Sequence, residues 1–127
     1  MAAAPLFIGT VKSPSAAIST ANALRDGTGT LGTVYTAGAS GARIDKINIT
    51  ATGTTTSGMI RLFSGTTGQN LIQEIPVMAI TPSATTPAFT VDVVFDSGLM
   101  LQATYLLKAG TEKAESFNVT VVNGGDI

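Results

Sequence analysis

The stretch Ala88–Asp96, AFTVDVVFD, decides the fold class. Phe89, Val91, Val93 and Phe95 recur at every second residue, with Thr90, Asp92 and Asp96 on the other side and Val94 interrupting. A period of two puts the apolar set on one face of a strand, whereas a helix needs a period near 3.6. The Asp96-Ser97-Gly98 sequence that follows reads as a turn.

The same pattern continues outward from this stretch. Phe117, Val119 and Val121 alternate with Asn118 and Thr120, which predicts a strand over Ser116–Asn123. Met59-Ile60-Arg61-Leu62-Phe63 reads as a strand bounded by Gly58 and Gly65. Ile47, Ile49 and Ala51 alternate with Asn48, Thr50 and Thr52. Ile44 is out of that phase because Asp45-Lys46 adds one residue, which predicts a bulge. Weaker strands fall at Ala16–Ala21, Thr33–Ala37, Asn70–Ile75 and Thr104–Ala109. DGTGTLG, AGASGA, TGTTTSG, SGTTGQ, TPSATTP, DSG and GTEKAE punctuate them. No segment carries helical periodicity, which argues against a parallel α/β sheet. About eight short strands in one domain, residues 15–127, predict an all-β antiparallel β-sandwich of jelly-roll type.

Residues 1–14 precede this pattern, and Pro5 and Pro14 frame an apolar Leu6-Phe7-Ile8. They read either as a first strand of the same sheet or as an extended arm that pairs with a neighbour's sheet edge. MAAAPLFIGTVK lacks the basic start of a secretory signal, and no stretch approaches the roughly 20 apolar residues of a membrane helix. The two glycosylation sequons, Asn48-Ile49-Thr50 and Asn118-Val119-Thr120, carry no weight without such a signal.

Gly27, Gly29 and Gly32 in GTGTLG satisfy the dinucleotide fingerprint literally. That fingerprint needs a buried strand before the first glycine and a helix starting at the third. Asn22-Ala23-Leu24-Arg25-Asp26 is a poor strand, and Thr33-Val34-Tyr35-Thr36-Ala37 is strand rather than helix. The glycines are therefore expected to form a loop between strands.

Composition narrows the function. The 127 residues suit one domain, and a chain of this size buries about two thirds of its unfolded surface. It has no Cys, His or Trp. Disulfides, thiolate or imidazole metal sites and His-dependent nucleophilic catalysis are all excluded. Charged residues make up 12% and the net charge is -1, so neither a nucleic-acid footprint nor a polybasic membrane signal is present. With 44% apolar residues and a mean hydropathy of +0.37, the chain fits a subunit packed against others.

The remaining charges are sparse. Asp92 and Asp96 share a strand face, with Glu74 a possible neighbour, but a carboxylate pair reads first as a solvated face rather than a glycosidic site. Asp26 and Asp96 each offer one turn carboxylate, too few for calcium. Arg61 and Glu74 sit mid-strand and read as outward, solvated residues or as a pair across a subunit interface; Lys108 closes a strand. Arg43, Asp45 and Lys46 form the single mixed-charge cluster, open to a partner. Tyr105 is a candidate for a corner hydrogen bond to backbone. The candidate subunit or capsid contacts are Leu6, Phe7, Ile8, Arg43, Lys46, Arg61 and Glu74, with no catalytic, cofactor or metal residue.

Several stretches together carry a resemblance: RDGTGT (Arg25–Thr30), TAGASGARIDKI (Thr36–Ile47), ATGTTTSGMIRLF (Ala51–Phe63), EIPV (Glu74–Val77), TPSATTPAF (Thr81–Phe89) and AESFNV (Ala114–Val119). Over about Asn22–Asp126 the chain resembles a family of small tailed-phage virion proteins, and the role this implies is capsid decoration, or cement. Such proteins are β-rich, often trimeric, and sit outside an icosahedral head where major capsid subunits meet. The resemblance implies a homo-oligomer, a trimer, bound to the major capsid protein on the exterior of a virion assembled in the host cytoplasm. Nucleic acid, membrane, cofactor and enzymatic activity are not expected. The alternatives are a tail, connector or head-fibre protein, or a carbohydrate-binding sandwich on the virion surface.

Overall fold

The computed structural model describes residues 8–127, and Leu6 and Phe7 lie outside them. The described residues form nine strands and no helix: β1 (Thr10–Val11), β2 (Ser15–Ile18), β3 (Gly32–Thr36), β4 (Ala42–Ala51), β5 (Gly58–Gly65), β6 (Gln69–Val77), β7 (Thr90–Leu101), β8 (Leu106–Thr111) and β9 (Phe117–Asp126). All pair antiparallel in two sheets. The first sheet has the order β1-β9-β4-β7, with β2 following β1 along the same edge of β9. The second has the order β3-β8-β5-β6. Apart from the β5–β6 hairpin, the chain from β2 onward changes sheet at every connection, an order compatible with a jelly roll.

The alternation read from sequence becomes the core. Ile44, Ile47 and Ile49 of β4, Ile60 and Leu62 of β5, Leu107 of β8, and Val119 and Val121 of β9 are all fully buried in one cluster between the sheets. Phe89 and Phe117 close one end edge to face, with ring centroids 6.4 Å apart and planes at 81°. The predicted bulge at Asp45 is present: pairing of β4 with both β7 and β9 shifts between Ile44 and Lys46. It restores the phase, so that Ile44 and Ile47 both point inward.

Two expectations are corrected. Asp96-Ser97-Gly98 is not a turn between elements; β7 runs through it to Leu101. Val94 pairs with Lys46 and Leu99 with Ile44, so Phe95–Gly98 bulges out opposite Asp45. Gly98 stands at φ 83°, and an added Cβ would lie 2.7 Å from Arg43 Nε and 2.9 Å from Asp45 Oδ1. The turn-like residues serve the bulge instead. Second, Tyr105 is half-buried, and its hydroxyl makes no hydrogen bond among the described residues. The buried tyrosine is Tyr35, 1% exposed.

Residues 9–12 take the place of a first strand. Gly9 N–H donates to Asp126 O at 2.8 Å, Thr10 and Val11 pair with Asp126 and Gly125, and Lys12 N–H donates to Gly124 O at 3.3 Å. Ile8 lies over Gly125, where an added Cβ would come within 2.6 Å of its Cγ2. This part of the N-terminal segment therefore lies on the chain's own sheet.

Candidate interaction surface

The outer faces of the two sheets differ, and the glycine-rich loop causes the difference. In β5, Ile60 and Leu62 face the core, while Arg61 and Phe63 alternate with them toward the outside. Both outward residues are nonetheless buried, Arg61 to 4% exposure and Phe63 fully. The connection between β2 and β3 passes over them. Asn22 N–H bonds Thr111 O at 2.8 Å, and an added Cβ on Gly110, the β8 partner of Arg61, would meet Leu31 Cδ2 at 2.9 Å.

The loop is held by its own short polar side chains. Asn22 Nδ2 donates to Thr28 O and Thr30 O, both at 3.0 Å, and Asn22 Oδ1 accepts from Leu24 N–H at 3.0 Å. Asp26 Oδ1 accepts from Thr28 N–H at 3.0 Å and from its hydroxyl at 2.6 Å, which holds the Asp26 carboxyl below its ordinary value. Gly27 and Gly29 both stand at φ 83°, and an added Cβ on Gly27 would lie 2.1 Å from Gln69 O. The fingerprint glycines thus let a loop press onto β6, and β3 rather than a helix follows them.

Arg61 and Glu74 face each other in register on β5 and β6. Arg61 Nε and Arg25 Nε both donate to Glu74 Oε2 at 2.8 Å. Glu74 is held below its usual value by Arg25 first and then Arg61. The expectation of solvated, outward residues is corrected for Arg61, which the loop covers. The pairing contemplated between subunits is made inside one chain. Glu74 also stands in the opposite sheet from Asp92 and Asp96, so the three carboxylates do not form one site.

A second cluster has no signal in the sequence because its members are far apart in the chain. Asp126 on β9 accepts from Tyr35 Oη on β3 at 2.7 Å, from Gly38 N–H at 3.1 Å, and from Lys12 Nζ at 2.6 Å. Lys12 Nζ also lies 5.6 Å from the Tyr35 ring centroid. Lys12 above all, then Tyr35, keeps the Asp126 carboxyl low, whereas burial first and Asp126 second push the Tyr35 hydroxyl up. This cluster links the two sheets at one edge of the sandwich.

Among the described residues no loop covers the outer face of the first sheet. Its register sets Ser15, Thr120, Asn48 and Asp92 in one row and Ala17, Asn118, Thr50 and Thr90 in the next, all exposed or half-buried. Asn48 Nδ2 donates to Thr90 Oγ1 at 3.2 Å and to Asp92 Oδ1 at 2.9 Å. Thr50 Oγ1 donates to Asn48 Oδ1 at 2.6 Å and lies 2.9 Å from Thr90 Oγ1. Asn48 and then Lys46, 3.3 Å away, hold Asp92 low. Toward the other end the residues become apolar and cationic. Val11, Gly125, Arg43 and Met100 lie in one row, and Lys46 and Val94 in the next, with Val122 nearby. Val11 is 79% exposed, Val94 61%, Val122 48% and Met100 46%. Arg43 Nε is tied to Asp45 Oδ1 at 2.9 Å. Of the sequence-predicted contacts, Ile8, Arg43 and Lys46 therefore share this face, and Arg61 and Glu74 belong to the other sheet.

One cleft of about 220 Å³ lies where β2 meets β3 and β8, and one of about 290 Å³ lies beside Lys12 and Tyr35. Among the described residues no group of three or more Asp, Glu, His or Cys stands together as metal ligands. No known family model and no curated protein matches the chain.

Proposed function

We propose that this chain is a structural protein of a tailed-phage virion that decorates the outside of the head and strengthens contacts between major capsid subunits. The observation that carries this reading is the outer face of the first sheet: a four-strand surface about 14 Å wide that no described loop covers, whose polar groups are already ordered by one another. Such a surface is preorganised for contact and loses little side-chain entropy on binding. A cement protein stabilises a shell by binding the assembled form and not its dissociated subunits. Many copies on a symmetric lattice turn modest contacts into firm attachment. The resemblance in RDGTGT, ATGTTTSGMIRLF and TPSATTPAF supports the same role.

A sugar-binding role finds less support, because no fully exposed aromatic ring stands on this face among the described residues. Tyr35, Phe63, Phe89 and Phe117 are buried, Phe95 of β7 is half-buried against the core, and Tyr105 is half-buried at the β8 side. Co-sedimentation of the purified chain with expanded empty heads tests the proposal. Saturable binding at a fixed ratio to the major capsid protein is expected, and heads that pellet without it would contradict it.

A further inference from the structure

The sandwich has four sheet edges, and three are protected. The β1/β2 edge is broken at Lys12-Ser13-Pro14. The β3 edge spans five residues and is bulged between Thr33 and Tyr35. The β6 edge is pressed by Gly27 at Gln69 and carries Pro76, which has no N–H. β7 bulges at Phe95–Gly98, but its Thr90–Val94 half carries none of these devices. β7 is twelve residues long and pairs only with β4. Among the described residues no other backbone or side-chain hydrogen bond reaches its far side. The Thr90–Val94 half contains no Pro, Lys or Gly. A row of free backbone donors and acceptors is matched chemically by one thing, another extended strand.

We propose that the β7 edge is a self-association site at which β7 of a second copy of this chain adds antiparallel about a two-fold axis. This holds independently of the virion reading. The side chains select one register. With Val93 opposite Val93 of the second copy, Asp92 faces Val94 of the copy, and Lys46 of the copy stands next in the same row. Each carboxylate then lies on the side of a cation, and the two exposed Val94 side chains are covered. A shift of two residues sets Asp92 against Asp92 or Asp96 of the copy, which like charges oppose. A shift of one residue turns the buried Val93 face outward.

The test is sedimentation equilibrium of the full chain from micromolar to millimolar concentration, with amide exchange followed along β7. A concentration-dependent dimer is expected, with alternate β7 amides gaining protection as it forms. Val94→Asp sets carboxylates face to face twice per dimer and weakens association about tenfold. Val94→Lys sets an ammonium opposite Asp92 and preserves or tightens it. Both substitutions lie on an exposed position and keep the monomer folded, its thermal midpoint moving by only a few degrees because position 94 lies opposite Lys46 of its own chain. A monomer at every concentration would overturn the proposal. So would a trimer whose mass neither variant alters, or equal effects of Asp and Lys at position 94.

Discussion

Thr104 is the one non-glycine described residue with positive φ, at 65°. A β-branched side chain is strained in that region, whereas Asn tolerates it. Thr104→Asn should therefore raise stability by about 0.5–1 kcal/mol, read as a higher midpoint in chemical denaturation. Tyr35 makes the opposite case. Its hydroxyl is buried and bonded to Asp126, so Tyr35→Phe strips one donor from a partly buried carboxylate and should cost about 1 kcal/mol in the same measurement. Asp126, Glu74 and Asp92 all have carboxyls held below their ordinary values of 3.8 or 4.5. A carboxyl lowered by folding contributes stability above its unfolded value, and that contribution fades as pH falls through the folded value. Thermal midpoints should thus be flat from neutral pH to about pH 5 and fall steadily below pH 4. Acid stability undiminished at pH 3 would mean these bonds do not hold the fold. Such residue-level features divide sharply in how far sequence discloses them. Asp45 shows its bulge because it interrupts a period-two run that resumes at Ile47. Asp126 shows nothing, because its partners Tyr35 and Lys12 lie in remote segments that only the closed sandwich brings together.

At the scale of elements, the loop between β2 and β3 is what makes the second sheet's outer face unlike the first's. It converts Arg61 from a surface charge into a buried one held by Glu74, with Arg25 on the solvent side of the same carboxylate. Arg61→Ala should lower the unfolding midpoint, because a buried side chain and its bond to Glu74 are lost, although Arg25 still holds the carboxylate left behind. Arg25→Ala, at an exposed position, should leave the unfolding midpoint nearly unchanged. Gly27→Ala forces a Cβ onto Gln69 O and demands a side chain at φ 83°, so limited proteolysis should cut the loop faster while the β5–β6 hairpin stays resistant. This loop explains what sequence alone obscures. Asn, Thr, Gly and Asp in RDGTGT look like any solvated connection, and nothing local says that it lies across β5 and β8. The same applies to Asp96-Ser97-Gly98, whose turn chemistry is genuine but is spent inside a strand, because β4 pairs on both sides of it. Strand existence, by contrast, was legible nearly throughout, since inward-facing Ile, Val, Leu and Phe recur with period two in every long strand of the core.

For the whole molecule, the two-sheet architecture follows from alternation and turn spacing. The distinction between a covered face and an open one comes only from tertiary structure. The loop over Arg61 and the sheet-linking cluster at Asp126 tie the elements of the sandwich together, and the open face and the β7 edge are the surfaces that the two proposals place against neighbours. The proposed role uses these surfaces as contact area. For the proposed virion role, the most direct measurement is the protein composition of the purified particle to which that role assigns the chain, taken together with a cryo-electron microscopy map of its head. The chain should be present at a fixed ratio to the major capsid protein, as β-sandwich density outside the shell with the first sheet's outer face against capsid or neighbouring copies. Particles that lack the chain, or that carry it only in the tail, would contradict the account.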